Sequence, residues 1–337
     1  MGTYKDTILS MATINILGVR HTYELTDPTT GPHALVFIHG WLLSRGYWQP
    51  LIERLAANYQ CLTYDLRGFG ESQITSEPEV NCQQNLLNPT SSVVGTQPLT
   101  SMPLLEAQDN REAQALPVLS AVQYTSAAYA EDLALLLQRL NINSAWLIGH
   151  SLGGSIALWA ADKLPECVKG VICINAGGGV YLKEAFEQFR YSGQQLLKFR
   201  PRWLCQLPLI DLVFMRANVA RAIARSWGRQ RVIDFVVAHP EAALGTLLNT
   251  TTEAEINSLP QLVSRLQQPV YFLAGSKDKI MEPKYVRHLA SFHALFRGCG
   301  DNVIEIPHCG HLAMLEQPDV VADLINSLIE QHEARGE

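Results

Sequence analysis

Five consecutive residues, Ala34–Ile38, carry no polar side chain, and the run stops abruptly at His39-Gly40. A strand with one face in water alternates apolar and polar residues. An unbroken apolar run fits a strand covered on both faces, as in a parallel sheet between two layers of helices. Further strands are read along the chain at Cys61–Tyr64, Ala145–Ile148, Val168–Ile174, Val270–Ala274 and Asn302–Ile306. Ala12–Leu17 and His21–Leu25 read as an opening hairpin. Helical spacing fills most of the gaps. It is predicted over Gly46–Ala57, on the face formed by Tyr129, Leu133, Leu136, Leu137 and Leu140, from the turn at residue 151 to Lys163, over Pro283–Ala290, and after Pro318. Strands alternating with helices imply an α/β fold: a mostly parallel, eight-stranded, doubly wound sheet.

Two stretches break the alternation. Residues 73–123 are rich in Gln, Asn, Ser, Thr and Pro and show little periodicity. They are expected to form a long polar insertion, partly disordered, with room for short helices near Leu104–Ala115. Residues 180–258 hold several helix-like stretches and no strand. An insertion at this point would sit over the carboxyl ends of the strands, where open α/β sheets place their ligands, so the segment is predicted to be a helical cap. The core is then expected to comprise residues 12–72, 124–179 and 259–335.

Gly149-His150-Ser151-Leu152-Gly153 fits the pattern Gly-x-Ser-x-Gly and lies between a predicted strand and a predicted helix. A sharp strand-to-helix turn is crowded, and a side chain at either glycine would meet neighbouring backbone. The strained turn exposes the serine oxygen beside a helix N-terminus, which favours developing negative charge. A serine hydroxyl is a weak nucleophile and needs a base, which in turn needs a carboxylate to fix its tautomer.

Four segments together resemble the α/β-hydrolase superfamily, in its branch of esterases and cofactor-free haloperoxidases: His39-Gly40-Trp41, Asp65–Ser72, the turn at Ser151, and Gly310-His311 followed by Glu316-Gln317-Pro318. The resemblance covers nearly all the chain except 73–123. It implies that Ser151 is the nucleophile, His311 the base and Asp278 the acid, in the chain order of that superfamily. His308 is the rival base, and Asp301 and Glu282 are alternative acids. The backbone N–H groups of Trp41 and Leu152 would hold the oxyanion. His39, Gly40 and His150 would shape the substrate site, and Asp65–Ser72 would be structural. The activity implied is hydrolysis of a carboxylic ester, small or lipid-like, through an acyl-enzyme. Perhydrolase or haloperoxidase chemistry, thioester or carbon–carbon bond hydrolysis, and a weakly active hydrolase-like receptor remain open alternatives. Serine at 151 speaks against the aspartate-nucleophile chemistry of epoxide hydrolases and haloalkane dehalogenases.

The chain has 337 residues, 17% of them charged, and a net charge of −6, which argues against a general nucleic-acid binder. Its seven cysteines are odd in number and form no Cys-x-x-Cys pair, so neither a disulfide framework nor a zinc ribbon is expected. No metal and no organic cofactor is expected either. The start lacks the look of a secretory leader, no apolar run is long enough to span a bilayer, and the thiols suit a reducing compartment, so a cytoplasmic protein is expected. One region runs against the acidic whole. Val180–Phe235 holds ten basic residues and four acids. Apolar residues accompany them, so the cap is a candidate for contact with a lipid-like or anionic substrate or a membrane surface.

Overall fold

The computed structural model describes residues 10–73, 123–177, 183–299 and 302–334. By internal contacts the chain divides into two units, 1–74 with 123–337, and 75–122. The first unit carries the eight-stranded sheet. The expected insertion, with its helices near Leu104–Ala115, lies outside the described residues apart from its two end positions.

Strands β1 (Ser10–Ile16) and β2 (Val19–Leu25) form the expected hairpin. Leu17 and Gly18 make its two-residue turn, both at positive φ. Then come β3 (Ala34–Ile38), a short 3₁₀ turn (Arg45–Trp48), α1 (Gln49–Leu55) and β4 (Gln60–Tyr64). After the insertion run α2 (Ser126–Arg139), β5 (Ala145–His150), α3 (Leu152–Lys163) and β6 (Val168–Ile174). The helical block contains α4 (Lys183–Lys198), α5 (Ile210–Arg216), α6 (Arg225–Val237), α7 (Pro240–Thr250) and α8 (Glu253–Arg265). The chain then makes β7 (Val270–Gly275), α9 (Pro283–Ala290), α10 (Ala294–Cys299), β8 (Val303–Ile306), α11 (Ala313–Glu316) and α12 (Pro318–Glu333).

The eight strands form one sheet in the order β1-β2-β4-β3-β5-β6-β7-β8. Only the β1–β2 and β2–β4 pairs are antiparallel. β3 is buried at every residue, and its side chains alternate between two cores. Val36 and Ile38 face the layer that holds α2, α3, α8 and α9, whereas Leu35 and Phe37 face that of α1 and α12. The register pairs Ile38 with Gly149, His150 with Ile174, Ile174 with Leu273, and Gly275 with Ile306. The carboxyl ends of five neighbouring strands thus share one edge of the sheet, and the loops leaving that edge carry the candidate site residues.

Two boundaries differ from the sequence reading. The expected helix over Gly46–Ala57 is split into a 3₁₀ turn and α1, with Pro50 in the first turn of α1, where its missing N–H costs nothing. The expected end of the helical block at 258 falls inside α8. That helix is capped at Thr252, whose side chain accepts from the Glu255 N–H, and it runs on through Pro260. Its buried residues Leu259, Leu262 and Val263 belong to the core under the sheet, so α8 serves as a sheet-covering helix. Among the described residues, no helix is long and apolar enough to cross a membrane.

Candidate active site

Ser151 sits between β5 and α3 with φ 53 and ψ −118, a conformation that non-glycine residues rarely adopt. Two constraints make the turn. A Cβ on Gly149 would lie 2.2 Å from the Gly153 carbonyl oxygen, and one on Gly153 would lie 2.1 Å from that of Ile38. Neither can be moved aside, because both are backbone. Hydrogen bonds fix the turn on each side: the Ser151 N–H donates to Ile174 O at 3.0 Å, and Gly154 N–H donates to Ser151 O at 3.0 Å. Strain at a single serine persists here because its surroundings over-determine it.

His311 follows β8 on the neighbouring loop and is nearly buried. Its Nδ1 lies 2.7 Å from Asp278 Oδ2. Asp278 is buried and accepts three further hydrogen bonds: from Asn175 Nδ2 at 2.8 Å, and on Oδ1 from the N–H groups of Ile280 at 2.8 Å and Met281 at 3.0 Å. Burial alone would raise the carboxyl pKa. The charge and hydrogen bond of His311, with the other donors, outweigh it and hold Asp278 below the usual carboxylate range. An ionised Asp278 makes Nδ1 of His311 the protonated nitrogen, which leaves Nε2 as the proton acceptor.

His150 and His39 line the same edge as neutral rings. His150 Nε2 donates to His311 O at 2.7 Å, and the two rings pack with centroids 4.8 Å apart. Full burial, with the neighbouring His311 adding to it, pushes the His150 pKa down to about 3. His39 is wholly buried. Its Nε2 accepts the Leu66 N–H at 2.9 Å, so its Nδ1 donates to Gly40 O at 2.8 Å. Both rings are engaged with backbone and brace the loops around Ser151, while Nδ1 of His150 meets no protein partner among the described residues. Gly40 is a close neighbour of both residues: a Cβ there would lie 3.2 Å from Ser151 Cβ and 2.8 Å from His150 Nδ1.

The loop after Gly40 is tied down at several points. Trp41 Nε1 donates to Ala243 O of α7 at 2.9 Å. Asp65 takes the Arg45 N–H at 2.6 Å, the Arg45 guanidinium at 2.5 Å and the Glu71 N–H at 2.9 Å. The Asp65–Ser72 segment therefore braces this loop, in keeping with a structural reading of it. Among the described residues, no protein acceptor meets the backbone N–H of Trp41, nor that of Leu152, which opens α3 and so has no partner inside the helix.

Two of the rival residues have other partners. His308 is exposed, with its N–H on Ser276 Oγ, and Glu282 pairs with Lys284. Asp301 lies outside the described residues.

Asn175 is absent from the sequence reading altogether, and Glu316, within its Glu316-Gln317-Pro318 segment, has no role there. Asn175, at the carboxyl end of β6 with φ 49, bridges Asp278 and Gly310 O. Its position at a strand end was the available signal. Glu316 Oε2 accepts the N–H groups of Gly310 at 2.9 Å, Ala220 at 2.8 Å and Arg221 at 2.9 Å, and Oε1 accepts that of Leu312 at 3.1 Å. It thus holds the residues on both sides of His311 and joins them to the chain between α5 and α6. The His311 N–H adds a bond to Asn218 O at 2.8 Å. No group of three His, Cys, Asp or Glu side chains converges as a metal site among the described residues.

A family model described as alpha/beta hydrolase fold matches residues 33–318. A pimeloyl-[acyl-carrier protein] methyl ester esterase of Xanthomonas axonopodis pv. citri is 27% identical over 311 residues, covering 89% of this chain and 95% of that protein. An uncharacterized protein of Mycobacterium tuberculosis is 28% identical over 225 residues, and the match spans 62% of this chain and only 63% of that protein. Among solved structures, an esterase from Thermogutta terrifontis superposes with a TM-score of 0.64 at 21% identity, over 96% of this chain and 98% of that one. A bromoperoxidase from Bacillus anthracis superposes with a TM-score of 0.65 at 17% identity, over 96% and 100%. At these identities the structural likeness speaks for the fold alone.

Proposed function

We propose that this chain, which belongs to the α/β-hydrolase fold family, is a serine hydrolase that cleaves a carboxylic ester through an acyl-enzyme. The observation that carries the reading is a strained, partly exposed Ser151 on the same edge of the sheet as a His311–Asp278 hydrogen bond of 2.7 Å.

Ser151 Oγ attacks the acyl carbonyl while Nε2 of His311 takes its proton. Asp278 stays ionised and stabilises the imidazolium. The N–H groups of Leu152 and Trp41 receive the oxyanion, which forms where the first turn of α3 already favours negative charge. His311 then returns its proton to the leaving alcohol oxygen. Water attacks the acyl-enzyme with His311 again as base, His311 passes that proton to Ser151 Oγ as the acyl–oxygen bond breaks, and the carboxylic acid leaves. His150 remains neutral throughout, so it adds no competing positive charge beside His311.

The helical segment 183–250 acts as the cap that selects substrate. Its loop Asn218–Arg221 bonds to the His311 loop, and α7 holds Trp41. The esterase function of the Xanthomonas relative supports an ester over other substrates of the fold. The test is hydrolysis of p-nitrophenyl esters from acetate to palmitate by the wild type and Ser151→Ala. Turnover that disappears in the variant supports the reading, and the chain-length optimum sizes the acyl site. Wild-type turnover that survives the substitution rejects it.

A further inference from the structure

The outer surface of the helical block has an unusual composition. Of twelve large apolar residues exposed among the described residues, seven fall between Tyr191 and Val213: Tyr191, Leu196, Phe199, Trp203, Leu207, Leu209 and Val213. Single exposed apolar residues are ordinary, but a cluster of this kind marks a contact surface. The exposure is large where it counts: 64% for Tyr191, 63% for Phe199 and 63% for Val213. α4 places its inner face on the rest of the protein, with Gly193 against Leu247 of α7 and close to the Trp41 ring. Tyr191, opposite Gly193, and Leu196, on the flank, are left exposed, and Phe199 follows directly, its ring edge-on to that of Trp203 at 5.9 Å. Leu209 adopts the left-handed conformation, φ 64, at the exposed turn before α5. A branched side chain in that conformation costs energy that water contact does not repay.

Charge identifies the occupant. From Gln188 to Ile210 the chain has no Asp or Glu and four basic residues, Arg190, Lys198, Arg200 and Arg202, in a protein of net charge −6. Lys198 and Arg202 are exposed beside Phe199 and Trp203. Arg216 and Arg229 add exposed positive charge nearby in the chain, and Asp211, the first acid after the gap, is neutralised by Arg225 at 2.5 Å. An apolar surface with basic residues among it, its acids confined to the start of α4, where Glu187 is exposed, and to the paired Asp211, matches the boundary between the acyl chains and the headgroups of an anionic bilayer.

We infer that the surface formed by the outer face of α4, the Phe199–Leu209 turn and α5 docks this protein on anionic lipid membranes. The apolar side chains enter the headgroup–acyl boundary while Lys198 and Arg202 meet lipid phosphates. Docking is separate from the chemistry at Ser151, so it stands or falls independently of the proposed hydrolysis.

The test is flotation of the full chain with vesicles of phosphatidylcholine alone, or of phosphatidylcholine mixed with phosphatidylglycerol, at low and high salt. The protein should float with the anionic vesicles at low salt, stay behind with the zwitterionic ones, and be released by salt. The double variant Phe199→Glu/Trp203→Glu should lower partitioning by about tenfold or more. Arg202→Gln should lower it by about fivefold. Ser151→Ala should bind as the wild type. Circular dichroism checks that the variants remain folded, as substitutions at exposed positions allow. Absence of wild-type binding to anionic vesicles overturns the inference, as does undiminished binding by a folded double variant. Light scattering that shows a dimer dissolved by the double substitution, with no vesicle binding, would assign the surface to a second copy of this chain instead.

Discussion

Glu316 offers a sharp test because its carboxylate meets four backbone N–H groups and no other side chain is placed to replace it. In Glu316→Ala, the N–H groups of Ala220 and Arg221 lie on exposed residues and can turn to water. Those of Gly310 and Leu312 belong to buried residues and are left without an acceptor. Each such loss costs about 1–3 kcal/mol, so the substitution should destabilise the fold by about 4 kcal/mol. Glu316→Gln keeps one oxygen for one side of the cluster but turns an NH₂ group toward an N–H on the other, and should cost about 2 kcal/mol. Glu316 is a positioning residue, since it acts on the backbone either side of His311. A displaced imidazole should lower kcat by about a hundredfold and leave KM nearly unchanged. Urea unfolding and ester hydrolysis measure the two effects. If Glu316→Ala unfolds within about 1 kcal/mol of the wild type and keeps its kcat, the reasoning is wrong.

Asp278→Asn should leave the fold intact and reduce kcat by about four orders of magnitude, because the amide no longer fixes Nδ1–H on His311. A loss in KM alone would contradict this role in steady-state assays. Gly153→Ala should destabilise by about 3 kcal/mol or more, since its Cβ meets backbone at 2.1 Å; a thermal melt unchanged from wild type would refute the clash. Asp234 of α6 is buried against Ser44 and Gln230, and burial raises its carboxyl to about 6. Its protonated form favours the folded state, so this contribution is full below the ordinary carboxylate range and is lost as pH rises through about 6. The amount is about 3 kcal/mol, and urea titrations from pH 4 to 8 should show a flatter profile for Asp234→Asn. Parallel profiles for the two proteins would contradict it.

β3 was legible because burial on both faces leaves no room for polar residues, and it begins and ends where its apolar run does; β6 keeps its predicted bounds with one exposed residue, Lys169, near its start. The turn at Ser151 was legible for a related reason: glycines forced by backbone contact mark a site as firmly as the serine does. The roles of Asn175 and Glu316 were hidden because each is defined by partners distant in sequence. Asn175 meets a carboxylate 103 positions away, and Glu316 meets N–H groups 95 and 96 positions away. The extent of α8 was hidden because helical spacing alone does not show that its apolar face belongs to the sheet core, which also holds the helix together through Pro260. The burial of His39 was equally opaque, since a histidine beside a glycine looks the same in sequence whether it faces a ligand or a backbone amide.

The central claim is that Ser151 is an activated nucleophile. Incubation with a fluorophosphonate probe, followed by peptide mass spectrometry of the wild type and of Asp278→Asn, addresses it directly. The account predicts a covalent adduct on Ser151 in the wild type and labelling slowed by orders of magnitude in the variant. Failure to label Ser151, or equal labelling rates in the two proteins, would contradict it.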